Sequence, residues 1–297
     1  MLRSNAAVTV VPAPGPGSGY WAGGPSAVAD SGHIYLAYRL RRPVDQGRGY
    51  ANVVAVSSDG VAFDSLATLT SEQFGAASLE RPALVRRPDG GWRLYVSCSS
   101  FGSKHWWVEA VDADTVAGLP TGRRTIVLPG DERTAWKDVV VRSEPGHWSM
   151  WACRHPLDGG DDEADRMSSW YATSTDGLSW ELQGEALAPV AGSWDARGAR
   201  LADVAHFQGR WWALYDGRRS AAENWQERTG LAVGDRPDRF ESVAGPVPVE
   251  FGSALRYVSL VARPGGWHAY WEATAVDGSH DLRTVYIPRP EGESQSE

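Results

Sequence analysis

The chain has 297 residues, with 33 Gly, 18 Pro, 15 Trp, 2 Cys and a formal net charge of −8. Acidic and basic residues alternate through most loops, without the clustered Lys and Arg that displace counterions from phosphates, so a nucleic-acid partner is not expected. Apolar runs of roughly four to seven residues exclude both a membrane span, which needs ~20, and the long helices of an α/β domain; they predict an all-β chain.

Residues 1–19 hold Pro12, Pro14 and Pro16 and three glycines without the apolar core of a signal peptide. They are expected to form a flexible N-terminal segment of a cytoplasmic protein. From residue 20 onward one template recurs: a small or polar start, an apolar strand, a Gly-containing turn and a second strand crowded with aromatic residues. The starts lie near Gly23-Gly24-Pro25, Glu80-Arg81-Pro82, Lys137-Asp138-Val139, Arg200-Leu201-Ala202 and Arg256-Tyr257-Val258, recurring every ~56–63 residues. That period suits a four-stranded propeller blade, so 20–288 is predicted as a single-domain, five-bladed β-propeller.

The second strands read His33–Tyr38, Trp92–Val96, His147–Trp151, Arg210–Tyr215 and Trp267–Trp271. Their large flat side chains suit the faces where sheet packs on sheet, which accounts for the tryptophan count without a ligand. Ser57-Ser58-Asp59-Gly60 and Ser174-Thr175-Asp176-Gly177 mark outer hairpins, because Gly takes the positive φ of such a turn at no steric cost. A looser copy runs from Leu231 to Phe240. Cys98 and Cys153 end second strands and are expected as reduced thiols. The acidic run Asp158–Asp165 is expected to be a solvated loop, and 289–297 a disordered tail.

In such an architecture the start of each first strand and the end of each second strand open on one face. There several blades contribute side chains to a small-molecule site. The candidates at this mouth are Trp21, Glu80, Arg81, Trp136, Lys137, Asp138, Arg200, Asp203, Arg256 and Tyr257 from first strands, with Arg39, Arg154, His155, Asp216, Arg218 and Glu272 from second strands. So many charges imply a wet, polar pocket, since an unpaired buried charge costs several kcal/mol, and the arginines favour an anionic or sugar-like ligand. The competing reading is an ion-pair network that holds the blades together. The seven histidines are scattered and assemble no tetrahedral set, so no metal or other cofactor is expected.

Five repeats that each open on a short polar motif and continue into a Gly-aromatic strand resemble the five-bladed propeller glycosidases, the group containing glycoside hydrolase families 43, 32, 62, 68 and 130. Trp136-Lys137-Asp138, followed by Gly146-His147-Trp148, looks like the Arg-Asp-Pro motif and following strand of family 32. The resemblance implies a transition-state role for Asp138. Glu80-Arg81-Pro82-Ala83-Leu84 resembles other openings of the group.

The chain departs from the group at Trp21-Ala22-Gly23-Gly24-Pro25, where the first blade normally supplies an Asp. Glycosidic cleavage ordinarily needs two carboxyl groups, one to protonate the leaving oxygen and one to activate water or attack carbon. Either Asp138 works with Glu80 or Asp203 as a rearranged pair, or the scaffold serves non-hydrolytic binding or another reaction, such as a lyase, isomerase or cyclase step. If the pair holds, at least two of the carboxyl groups of Glu80, Asp138 and Asp203 face one shared cavity, ~6.5 to 9.5 Å apart as in an inverting enzyme.

Overall fold

The computed structural model describes residues 7–159, 166–247 and 254–289. The chain is all-β, and its one α-helix among these residues is the four-residue Ser71–Phe74. The strands fall into four hydrogen-bonded sheets, of eight, five, four and four strands. The eight-stranded sheet divides at a single parallel pair, Trp21↔His280, with antiparallel pairing on either side.

Five antiparallel units follow in chain order. The first is Trp21–Asp30, His33–Arg41, Gly49–Ser57 and Asp64–Thr70. In the second, the short strands Ser78–Leu79 and Ala83–Arg86 both pair with Trp92–Ser99, followed by Trp106–Ala113 and Arg123–Leu128. The third is Thr134–Glu144, His147–Pro156, Ser168–Ser174 and Glu181–Leu187. The fourth is Gly198–Phe207, Arg210–Arg218, Arg228–Arg236 and Arg239–Ala244. The fifth is Arg256–Arg263, Gly266–Thr274 and His280–Pro288.

The fourth strand of the last unit is Val8–Val11, paired antiparallel with His280–Pro288. These residues lie in the segment expected to be flexible, and that expectation is corrected for them. Val-Thr-Val-Val is too short to stand out before a proline-rich stretch, but it covers a sheet edge that would otherwise leave a row of unpaired backbone groups. Residues 160–165 of the acidic run and residues 290–297 of the tail lie outside the described residues.

The first strands touch in a cycle, each against the next and the fifth against the first. Every junction is sewn by a side-chain oxygen that accepts a backbone N–H of the next unit. Ser26 accepts from Leu84 at 3.0 Å, Ser97 from Asp138 at 2.9 Å, and Ser169 from Leu201 at 2.9 Å. Asp216 accepts from Tyr257 at 3.0 Å and Ser259 from Ala27 at 3.1 Å. These bonds satisfy N–H groups that the strand ladders leave free.

Apolar clusters fill the same junctions: Leu79 and Leu94 against Val54 and Leu69, Trp148 and Met150 against Tyr95, and Trp151 against Leu201 and Tyr215. Trp271 and Val258 pack against Ala202, while Tyr270 packs against Ile34 and Leu36. The aromatic second strands thus bury their rings between sheets, as composition implied. The outer hairpins follow the Asp-Gly rule: Gly60 and Gly177 take φ of 82° and 70°, and Asp59 and Asp176 each accept two backbone N–H bonds in the turn. A tyrosine of a neighbouring unit caps each turn, Tyr270 donating to Gly60 O at 2.8 Å and Tyr95 to Gly177 O at 2.7 Å.

Candidate active site

Every first strand loses register at the same level: between Gly23 and Ser26, Lys137 and Val140, Leu201 and Asp203, and Arg256 and Ser259. In the second unit the strand is interrupted at Glu80-Arg81-Pro82, where Pro82 has no N–H to give a ladder. Such bulges re-aim side chains. At three of them the backbone is left-handed: Gly24 (φ 59°), Asp138 (φ 53°) and Tyr257 (φ 54°). The conformation costs a non-Gly residue ~1–2 kcal/mol, and the N–H bonds from Asp138 to Ser97 and from Tyr257 to Asp216 help hold it.

Above this level opens a cavity of about 340 Å³. Of the predicted residues, Trp21, Arg39, Glu80, Lys137, His155, Arg200, Arg218, Arg256 and Tyr257 line it. So do Arg41, Arg48 and Glu227, with Trp106 and Trp225 at its sides. Eight basic side chains face the cavity against two carboxylates.

Beneath it runs a buried charge network. Glu80 contacts Arg39, which donates to Glu272 at 3.0 Å. Arg256 contacts Glu272 and also pairs with Glu227 at 2.8 Å, and Glu227 accepts from Arg218 at 3.2 Å. A second branch centres on Arg200, which donates to Asp138 at 3.2 Å, to Asp216 at 2.8 Å and to the Tyr257 hydroxyl at 2.8 Å. The Arg200 guanidinium lies 3.7 Å from the centre of the Tyr257 ring. Asp138, Asp216 and Glu272 are therefore enclosed below the cavity wall, although they belong to the same cluster.

Burial pushes the Asp138 carboxyl up, but Lys137 at 3.7 Å and Arg200 outweigh it and hold the group at about 2, so Asp138 is ionised. Its Oδ1 has no hydrogen-bond partner among the described residues. Burial pulls the Lys137 ammonium down to about 8, Asp138 opposing and Arg200 adding to the shift. Burial lifts the Tyr257 phenol to about 12, so it stays protonated.

Four predicted residues are not brought to this cavity. Asp203 lies past the bulge on the opposite face, in contact with Arg142 and accepting from Leu260 N at 2.5 Å; with Asp138 enclosed below the wall, Glu80 alone of the three expected carboxylates lines the cavity, and the expectation that at least two of them share it is corrected. Arg81 reaches across the centre to Ala202 O at 2.6 Å and Pro25 O at 3.2 Å, tying bulges together. Trp136 and Arg154 alternate with Lys137 and His155 and so point away: Trp136 into the core beside Trp170, and Arg154 toward Thr134.

The missing first-unit carboxylate has a spatial reason. A Cβ on Gly23 would stand 1.9 Å from Glu272 Oε2. The room for a side chain there is taken by a carboxylate from the fifth unit. The loop and third-strand contributors, Arg48, Trp106, Trp225 and Glu227, escaped sequence reading because the repeat template covers only first and second strands. Arg41 had a signal: it alternates with Arg39 along one strand.

No protein-family model and no curated protein matches the chain. Solved structures do. A thermostable family-43 glycoside hydrolase superposes with a TM-score of 0.67 at 14% identity, over 92% of this chain and 91% of its own. A family-43 enzyme from Xanthomonas citri, solved with xylotriose, gives 0.65 at 12%, over 97% and 92%. The β-1,2-mannobiose phosphorylase of Listeria innocua, solved with β-1,2-mannobiose, gives 0.62 at 12%, over 97% and 92%. The chain is thus similar in fold to the glycosidase-like propellers, at identities that carry fold alone.

Proposed function

We propose that the five units are the blades of one closed five-bladed propeller spanning 20–288 and completed by Val8–Val11, and that the chain is a glycosidase-like enzyme acting on a sugar-like small molecule in the mouth cavity. The cycle of first strands and the five sewn junctions support closure. The neighbours are glycoside hydrolases and phosphorylases, which supports the substrate class.

The observation that carries the chemistry is that Lys137 and Glu80 both line the cavity. A general acid must hold a proton at working pH, and an ammonium near 8 does. In this reading Lys137 protonates the leaving oxygen. Glu80 Oε1, which has no hydrogen-bond partner among the described residues, takes the proton of the attacking water. Asp138 is the positioning residue that holds Lys137, and Tyr257 and Arg200 fix Asp138 in turn.

The test is a panel of nitrophenyl glycosides. Glu80→Gln and Lys137→Met should each cut turnover a hundredfold or more, as loss of a general acid or base does, with folding intact. Cleavage that survives both changes would overturn the assignment. A second reading, binding without turnover, is favoured by the excess of cations at the cavity; it predicts ligand-induced thermal stabilisation with no cleavage of any panel member.

A further inference from the structure

Nearly every basic side chain of the floor has an acidic partner; Arg41 does not. It closes the second strand of the first unit, is 3% exposed and lines the cavity. It makes no hydrogen bond or ion pair among the described residues, and its Nε is buried without an acceptor. Instead its guanidinium lies 3.9 Å from the centre of the Trp21 ring and 5.6 Å from that of Trp225. Trp21 is itself clamped from another side by His280, stacked at 4.3 Å. Stacking fixes the plane of the fork and leaves its edge donors unused. Burial, Arg39 and Arg48 work against its charge, and the more distant Glu272 and Tyr257 offset them only in part. The Nε of Arg48, also on the cavity, reaches Glu80 only at 3.8 Å, beyond hydrogen-bond distance. A buried cation with no acidic group in contact is costly, and a rigid guanidinium fork matches a planar or tetrahedral oxyanion.

We propose that Arg41, with Arg48 beside it, is a binding site for an oxyanion, a carboxylate or phosphate carried by the sugar-like substrate. This deepens the functional reading above and rests on it only for the sugar portion. Trp225, 44% exposed, and Val44 form an apolar wall above the site, against which the uncharged face of such a molecule would lie. The cavity of about 340 Å³ is at the small end of ligand pockets, which favours a compact ligand.

The experiment is calorimetric and thermal-shift titration of the full chain, at fixed ionic strength, with methyl glucuronide, glucose 1-phosphate, inorganic phosphate and neutral methyl glucoside. One or both charged sugars should bind and raise the melting temperature while methyl glucoside does not; which one binds separates carboxylate from phosphate. Arg41→Met should weaken that binding by about tenfold to a hundredfold, the loss of charge-assisted hydrogen bonds. It should leave the free protein at least as stable, since an unpaired buried charge is removed. Arg41→Lys should bind with intermediate affinity, and Arg48→Met should weaken binding independently. The proposal is overturned if charged and neutral sugars bind alike, if inorganic phosphate alone binds, or if Arg41→Met keeps full affinity. It is also overturned if that variant only lowers the melting temperature, as a packing role would. Charged-sugar binding without turnover of any glycoside would sustain the oxyanion site and remove the hydrolytic reading; turnover of neutral glycosides alone would do the reverse.

Discussion

Glu272 is the most constrained carboxylate of the network, and replacing it with Gln tests whether the network stabilises the fold. It has no exposed surface, accepts from Arg39 at 3.0 Å, contacts Arg256 and takes a 2.7 Å bond from His280 Nδ1. Removing one partner of a buried ion pair costs about 3–5 kcal/mol, because the other charge is left uncompensated. Here Arg39 keeps Glu80 and Arg256 keeps Glu227, so the loss should lie at the low end, about 3 kcal/mol. At about 2 °C per kcal/mol for a chain of this size, the melting temperature should fall by about 6 °C at pH 7, read by tryptophan fluorescence. Burial pushes the Glu272 carboxyl up, but Arg256 and Arg39 outweigh it and hold it well below the ordinary range. A depressed carboxylate stabilises fully above its unfolded pKa, about 4.3, and that contribution fades as pH falls toward the folded value. The gap between wild type and variant should therefore be constant from pH 7 to about 5 and close below about 4. A Gln variant as stable as wild type at pH 7, or a gap that does not change down to pH 3, would refute the reasoning.

Gly23→Ala should destabilise the chain by about 3 kcal/mol, the upper range of overpacking, because the new Cβ must displace the pinned Glu272 carboxylate; chemical denaturation with an unchanged midpoint would contradict this. Asp203→Asn should lose about 1–2 kcal/mol of stability, from weakened bonds to Arg142 and Leu260 N, yet leave turnover intact. A loss of turnover there without a loss of stability would restore Asp203 to the site. With Lys137 as proton donor, turnover should fall as pH rises through about 8, where the ammonium deprotonates, rather than near the ordinary ~10.4 of lysine. A rate that stays flat to pH 10 would exclude it.

Much of the architecture follows from local rules that leave a mark in sequence. Asp59-Gly60 and Asp176-Gly177 form the hairpins their residue types dictate, and the aromatic second strands sit between sheets because rings of that size have nowhere else to bury. The face of the site was legible too: Glu80, Lys137, Arg200 and Tyr257 follow from where first strands begin. Which neighbour of each pair faces the cavity was not. The register break between Leu201 and Asp203 separates Asp203 from Arg200 along the strand, so Asp203 meets Arg142 and Leu260 N on the other side of the break rather than the cavity. The sequence spacing of the two is the same whether or not the bulge forms. The partners of Glu272, the space it takes from Gly23 and the lack of an ion-pair partner for Arg41 among the described residues depend on side chains from units far apart in the chain. Charge pairing acts over a few ångströms in space, and only closing the units on one another sets those distances.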